Sequence, residues 1–148
     1  MIAYLDTSAL ARLYLPEVGR GSVVELVGRE GVTPCSHLIA YAEMAAALTK
    51  AERMQRISAA DHHVVWTKFQ SDWLAMTRIS VDEVLLQRAA ALARRFGLRA
   101  YDSVHLAVAE RVCVTVGAAN LVFACFNAKL NTGAGELGMA LLDMQRPA

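Results

Sequence analysis

Several features that define other protein classes are scarce in this sequence. Proline and cysteine each occur three times in 148 residues, aromatic residues make up 7%, and the formal net charge is only +1. The low proline content, with only nine glycines, argues against disorder and low complexity. A charge near neutrality also excludes the overall basic character of many nucleic-acid-binding proteins. Any nucleic acid must therefore be bound by a local patch.

The cysteines show no close C-x-x-C spacing of the kind found in zinc or redox sites, and their odd number suits reduced thiols in a cytosol. They are Cys35, Cys113 and Cys125. The first residues reach Asp6 without a basic leader or a long apolar stretch, so no signal peptide is predicted. The uncharged run over residues 112–128 contains Gly117 and Asn120, which predicts a helix end followed by a strand rather than a membrane span. We expect a cytoplasmic protein.

Apolar residues are abundant: they make up 55% of the chain, against 20% charged residues, and the mean hydropathy is +0.33. At this length a single domain, residues 1–148, buries roughly 68 to 70% of its unfolded surface. A rich core explains the composition, and a surface covered by another subunit is the alternative.

Short apolar runs alternate with stretches of helical spacing. The predicted strands are residues 2–5, 32–35, 78–80, 121–124 and 139–142. The predicted helices are residues 7–15, 17–28, 38–53, 59–74, 81–96, 103–116 and 128–137. Strands that alternate with helices predict crossover units and a parallel sheet covered on both faces. The segment 51–74 has no strand of its own and predicts a helical pair that projects from the sheet.

Asp6 comes directly after the first apolar strand. The carboxyl ends of parallel strands form the edge at which ligands bind in open sheets. Asp6 is therefore a candidate ligand, and an N-cap for the following helix is the equally simple interpretation.

Glu43 lies in a segment, residues 40–48, that is otherwise apolar on every side of a helix. Such a helix is normally buried, and an unpaired buried carboxylate is costly. Glu43 therefore needs a bound cation, a cage of hydrogen bonds or a raised pKa. Pairing with one of the 15 Lys and Arg residues is the structural alternative.

Asp102 opens a second apolar helix, where it is again either an N-cap or a ligand. His105 follows one turn later and either faces the same site or packs as an ordinary helical histidine. His62 and His63, adjacent in a charged helix, are expected at the surface.

Asn127 lies just beyond the strand at residues 121–124. If the sheet reverses its winding between the first and fourth strands, Asp6 and Asn127 flank the crevice. Three acids and one amide supply only oxygen ligands, which suit Mg²⁺ or Mn²⁺, and no Cys or His pair indicates zinc.

These residues resemble the PIN domain, specifically the toxin of VapBC-type toxin–antitoxin modules. The matching pieces are Tyr4-Leu5-Asp6-Thr7-Ser8-Ala9-Leu10, Ala42-Glu43, Tyr101-Asp102-Ser103-Val104-His105-Leu106-Ala107 and Phe126-Asn127-Ala128-Lys129-Leu130. The resemblance runs from Asp6 to about Gly138. It implies a three-layer α/β/α sandwich around a parallel sheet of about five strands.

The same resemblance implies an Mg²⁺- or Mn²⁺-dependent endoribonuclease that is inhibited by an antitoxin protein and forms a homodimer. By match of motif, Asp6, Glu43 and Asp102 are the catalytic, metal-binding acids. Asn127 stands where the family usually has Asp, which removes one negative charge but keeps a carbonyl oxygen. Thr7 and Ser103 either bind the water shell of the metal or cap helix starts.

Two function classes follow. The first is an RNase toxin with RNA and an antitoxin as partners. The second is an inactive RNA-binding or antitoxin-binding module in which Asn127 has abolished catalysis. A nucleotide-binding domain is disfavoured because neither G-x-G-x-x-G nor a Walker lysine loop occurs.

Overall fold

The computed structural model describes residues 1–142. The strands are β1 (Ile2–Leu5), β2 (Thr33–His37), β3 (Thr77–Ile79), β4 (Leu121–Ala124) and β5 (Ala140–Leu141). The helices are α1 (Thr7–Arg12), α2 (Arg20–Gly28), α3 (Ala40–Arg53), α4 (Ala59–Ala75), α5 (Glu83–Phe96), α6 (Ala100–Val116) and α7 (Ala128–Glu136). Among the helices of this range, none is both long and apolar enough to cross a membrane.

The five strands form one parallel sheet in the order β3-β2-β1-β4-β5. Successive side chains of a strand point to opposite faces of the sheet. Tyr4 of β1 accordingly packs in a core with Leu92 and Leu106 from α5 and α6. Leu5 packs on the other face in a core with Leu10 and Met44 from α1 and α3. This confirms the predicted three-layer α/β/α sandwich.

The winding of the sheet reverses beside β1. The chain moves from β1 through β2 to β3 on one side, and then returns to place β4 and β5 on the other side of β1. Ligand sites in open parallel sheets lie where the winding reverses, at the carboxyl ends of the strands. Asp6 follows β1 and Asn127 follows β4, so the predicted flanking arrangement is confirmed.

Several element boundaries differ from the sequence prediction, and α2 begins at Arg20, three residues later than predicted. The first helix ends at Arg12 instead of residue 15, and the chain continues in tighter turns, in which the Leu13 N–H bonds to the Leu10 carbonyl and the Tyr14 N–H to the Ala11 carbonyl. β2 continues to His37, two residues beyond the predicted end. α6 begins at Ala100, three residues earlier than predicted.

The predicted helical pair consists of α3 and α4. α4 starts with a reciprocal capping box between Ser58 and Asp61. It then buries Phe69 and Trp73 in the core shared with α1 and α3. The pair therefore packs onto the sandwich through its aromatic side chains, and the Tyr41 ring lies 5.8 Å from the Phe69 ring between the two helices.

Candidate functional site

Asp6 is buried at the end of β1 and is the N-cap of α1. Its Oδ1 accepts hydrogen bonds from the Ala9 N–H at 2.9 Å and the Ser8 hydroxyl at 2.6 Å. Its Oδ2 accepts from the Cys125 thiol at 3.2 Å. The N-cap interpretation is thus confirmed. An ionised carboxylate has about four acceptor positions, so these three donors fix its orientation and leave capacity for a ligand.

Glu43 lies in the first turn of α3, with its side chain 21% exposed. Its partner is not a lysine or arginine: Oε1 lies 2.9 Å from Nε2 of His105. Burial raises the pKa of Glu43, but the hydrogen bond and charge of His105 outweigh this effect and hold the pKa below its usual value. The expectation of burial on every side was wrong, because Ala42 and Ala46 of the same helix are exposed.

Asp102 is the third residue of α6, and the N-cap of this helix is Arg99. The N-cap interpretation of Asp102 was therefore wrong. Burial raises the pKa of the Asp102 carboxyl, and the negative charge of Asp6 raises it further. The charge of Glu43 also raises the pKa of Asp102. Asp6 and Glu43 thus both act electrostatically on Asp102, although the three acids are far apart in the sequence.

His105 lies in the buried part of α6 and faces Glu43 rather than packing as an ordinary apolar-core residue. Its Nδ1 is 3.0 Å from the Tyr4 hydroxyl, and its Nε2 is 3.2 Å from Oγ1 of Thr7 as well as close to Glu43. Because both ring nitrogens have partners, the imidazole is fixed in position. His105 therefore connects the end of β1 to the start of α3.

His37 is the site residue that the sequence reasoning missed. It ends β2, is fully buried, and its ring centre lies 4.1 Å from that of His105. Burial and, to a smaller extent, the charge of His105 lower the pKa of His37 to about 3, although the charge of Glu43 acts in the opposite direction. The polar residue at the carboxyl end of a strand was the available signal, but the predicted strand ended at Cys35.

Asn127 is the N-cap of α7, where its Oδ1 accepts from the Leu130 N–H at 3.2 Å. Its own N–H donates to Sγ of Cys125, at 3.2 Å, and the same sulfur contacts Asp6. Asn127 also lines a surface cleft with Asp102, Arg99 and Lys129. The helix cap thus uses one of the two acceptor positions of this amide oxygen.

Thr7 and Ser103, which were expected either to bind the water shell of the metal or to cap helix starts, make different contacts. The Ser103 hydroxyl donates to the Ala100 carbonyl at 2.6 Å and does not cap α6, whose N-cap is Arg99. Thr7 instead contacts His105, while Asp6 provides the cap of its helix. At the surface, as expected, His63 is exposed and His62 bonds to a carboxylate of α3.

Among the basic side chains within residues 1–142, only His105 pairs with one of the three acids, Glu43, which leaves Asp6 and Asp102 without such a partner. Within residues 1–142, no Lys or Arg forms a salt bridge with Asp6, Glu43 or Asp102. Arg99 lowers the pKa of Asp102, but burial and the neighbouring acids outweigh it. Uncompensated carboxylates at one site attract a cation.

Comparison with known proteins places the chain in a recognisable group. A family model described as the PIN domain matches residues 3–123. Ribonuclease VapC45 of Mycobacterium tuberculosis is 30% identical over 144 residues, which cover 97% of this chain and 96% of that protein. The FitAcB crystal structure from Neisseria gonorrhoeae is similar at a TM-score of 0.64 and 17% identity, over 97% of this chain and 98% of that chain. A toxin-antitoxin complex from Klebsiella pneumoniae is similar at a TM-score of 0.55 and 17% identity, over 86% of this chain and 88% of that chain.

Proposed function

The chain belongs to the PIN domain family, and from this premise we propose that it is a metal-dependent endoribonuclease toxin with Asp6, Glu43 and Asp102 as its catalytic acids. The observation that carries the proposal is the electrostatic coupling of these acids. Burial and the charges of Asp6 and Glu43 all raise the pKa of Asp102. A ribonuclease with 30% identity over nearly the whole chain supports the same activity.

The donor set fits Mg²⁺ or Mn²⁺. Hard divalent cations prefer carboxylate oxygens, and the three acids have no lysine or arginine salt-bridge partner within residues 1–142. A divalent ion bound by Asp6, Glu43 and Asp102 relieves the repulsion that raises the pKa of Asp102. When bound, such an ion supplies positive charge for the scissile phosphate and lowers the pKa of an attacking water.

The residues around the acids orient them. The Ser8 hydroxyl and the Cys125 thiol donate to the two oxygens of Asp6, so this carboxylate cannot rotate freely. His105 does the same for Glu43. Prior orientation of this kind lowers the cost of assembling a catalytic site.

The surface beside Asp102 suits an RNA backbone. The cleft that contains Asp102 and Asn127 is also lined by Arg99 and Lys129. Both cations are exposed, and neither forms a salt bridge within the described part of the chain. Arg and Lys side chains bind phosphates through their charge. This local patch is what a chain with a net charge of +1 needs in order to bind RNA.

The proposal includes an antitoxin partner, a homodimeric state and a cytoplasmic location. One of the similar structures is a toxin-antitoxin complex, which supports a protein partner. An inhibitor that inserts an Arg side chain forms paired hydrogen bonds with a carboxylate cluster. We expect co-expression with the antitoxin from the neighbouring reading frame to give a complex that lacks RNase activity. Recovery of only free, active toxin above micromolar concentration contradicts this part of the proposal.

Asp6→Asn tests the proposed activity. Asparagine keeps an oxygen for the α1 cap and removes the charge, so the fold persists while metal-dependent cleavage falls by at least about a hundredfold. The measurement is cleavage of structured RNA over a range of Mg²⁺ and Mn²⁺ concentrations, with a chelator control and circular dichroism on both proteins. Equal cleavage by the variant, or cleavage that persists in chelator, overturns the proposal.

A second candidate is an inactive RNA-binding or antitoxin-binding module. Asn127 favours it, because the amide carries no charge and its oxygen caps α7. The same assay separates the two candidates: an inactive module binds RNA or antitoxin but cuts no RNA at any metal concentration.

A further inference from the structure

His37 carries a buried nitrogen that has no use in the site described so far. Its Nδ1 accepts a hydrogen bond from the Ile39 N–H at 3.0 Å. Its Nε2 is buried and has no hydrogen-bond partner in the described part of the chain. Buried polar atoms are nearly always paired, so an orphan of this kind indicates a missing partner.

The orphan nitrogen belongs to a cluster of three side chains. One ligand atom from each of His37, Glu43 and His105 lies within 4.8 Å of the others. Two of these atoms, Nε2 of His105 and Oε1 of Glu43, are only 2.9 Å apart. The Tyr4 hydroxyl bonds to the opposite nitrogen of His105 at 3.0 Å, as the outer partners of metal-binding histidines commonly do.

We propose that His37, His105 and Glu43 form a binding site for a transition-metal cation such as Zn²⁺, which shares Glu43 with the all-oxygen site. Two imidazoles and one carboxylate are a ligand set that Zn²⁺ accepts, with a fourth position left for water. Binding there occupies Glu43 and so removes it from the Mg²⁺ ligands. The ion therefore inhibits the nuclease, a consequence that rests on the proposed function, whereas the binding itself does not.

The chemistry of the ligands selects the ion. Mg²⁺ prefers oxygen ligands and loses its water reluctantly, so it gains little from two imidazoles. Zn²⁺ and Co²⁺ bind imidazole nitrogen well. Coordination through Nε2 of His37 moves the ring proton to Nδ1 and breaks the hydrogen bond from the Ile39 N–H. Only an ion with a strong preference for nitrogen offsets that loss.

Access to the cluster is through Glu43. The two histidines are fully buried, whereas the Glu43 side chain is 21% exposed. An ion must therefore arrive from the side of the proposed active site. Ligands of one zinc ion lie about 2.0 to 2.2 Å from it, and therefore roughly 3.3 to 3.5 Å from one another in a tetrahedral site. Nε2 of His105 and Oε1 of Glu43, which are 2.9 Å apart, therefore move slightly apart on binding.

Titration with Co²⁺ tests the site without any nuclease assay. Co²⁺ is a probe for zinc sites because its visible absorption distinguishes four-coordinate nitrogen-containing sites from hydrated six-coordinate ions. We expect the metal-free protein to bind one Co²⁺ with the intense four-coordinate spectrum. His37→Asn should weaken binding by at least about tenfold, while asparagine retains an oxygen for the Ile39 N–H.

His62→Asn is the matched control. His62 also pairs with a glutamate, at 3.1 Å from Glu52, but lies on α4 outside the cluster, so its loss should leave the Co²⁺ spectrum and affinity unchanged. Equal Co²⁺ binding by wild-type protein and His37→Asn overturns the proposal. A Co²⁺ spectrum of the wild-type protein that is typical of the hydrated six-coordinate ion also overturns the proposal.

Zinc-edge X-ray absorption of the wild-type protein gives a test that needs no variant. Scattering from two imidazole rings supports the site, and an all-oxygen shell overturns it. The inhibitory consequence is checked by adding Zn²⁺ to RNA cleavage in Mg²⁺: wild type should be inhibited at a concentration that His37→Asn tolerates. Absence of any RNA cleavage in Mg²⁺ alone contradicts the proposed function, while the two binding experiments still decide the metal site.

Discussion

The thiol of Cys125 donates a hydrogen bond to Oδ2 of Asp6 over 3.2 Å. Cys125 immediately follows β4 and Asp6 immediately follows β1, so the bond joins the ends of two adjacent strands where the winding of the sheet reverses. Burial raises the pKa of the Cys125 thiol, and the charge of Asp6 raises it further. The sulfur therefore keeps its proton and remains a donor.

Removal of this donor should loosen the proposed metal site. We expect Cys125→Ala to weaken Mg²⁺ or Mn²⁺ binding by about tenfold, because outer hydrogen bonds orient metal-binding carboxylates. Cys125→Ser keeps an O–H donor and should restore most of the affinity. Calorimetric titration of the three proteins measures the difference. Equal affinities for alanine and serine variants would show that the donor has no role.

The pKa of Asp102 is raised in the folded protein by burial and by Asp6. The ionised Asp102 carboxylate therefore lowers the free energy of unfolding of the metal-free protein at pH values above the raised pKa. Below about 3.9, the pKa of an Asp in an unfolded chain, this destabilisation is absent because the carboxyl is protonated in both states. We expect Asp102→Asn to abolish RNA cleavage and yet to raise the melting temperature at pH 7 without metal. The gain should vanish as the pH falls below about 4.

Asp82→Asn is a control for which the same argument predicts a change of melting temperature in the opposite direction. The Arg111 hydrogen bond lowers the pKa of Asp82, so its ionised form stabilises the fold above the unfolded pKa. This variant retains a side-chain cap for α5 and should melt at a lower temperature at pH 7, with the loss disappearing as the pH falls through the lowered pKa. Thermal denaturation across pH checks both variants. A shift of the same sign in both contradicts the argument.

Asn127→Asp should strengthen the metal site. Aspartate is as good an N-cap as asparagine, so one oxygen can continue to accept from the Leu130 N–H while the second faces the cleft that Asp102 lines. We expect about ten- to a hundredfold tighter Mg²⁺ binding and faster RNA cleavage. Calorimetry and cleavage assays on both forms measure this. Unchanged affinity and rate mean that position 127 lies outside the metal site.

Arg99 and Lys129 should bind RNA without taking part in the chemical step. We expect each alanine variant to raise KM severalfold with little change in kcat, and to reduce the salt dependence of RNA binding by about one counterion. Arg53→Ala is the control, since Arg53 lies on α3 ten residues beyond Glu43, about 15 Å along the helix axis. An equal effect of all three variants would indicate general charge rather than this cleft.

Much of the fold could be predicted from local patterns. The short apolar strands and the spacing of the helices predicted the parallel sheet, because strand and helix periods are written in neighbouring residues. The reversal of winding between β1 and β4, which entered the sequence analysis only as a condition, places Asp6 and Asn127 at the same edge. The motifs that resemble the PIN domain also named the family correctly, since they include the residues at the strand ends.

What neighbouring residues do not encode was decided by the tertiary structure. No spacing in the sequence joined His37 to His105, yet the packing of α6 on β2 brings their ring centres to 4.1 Å from each other. The partner of Glu43 proved to be His105 rather than a Lys or Arg, and Cys125 became a donor to Asp6. Sequence patterns determine which face of an element is buried. The contacts between distant side chains depend on strand register and helix rotation, which only the packing of the whole core selects.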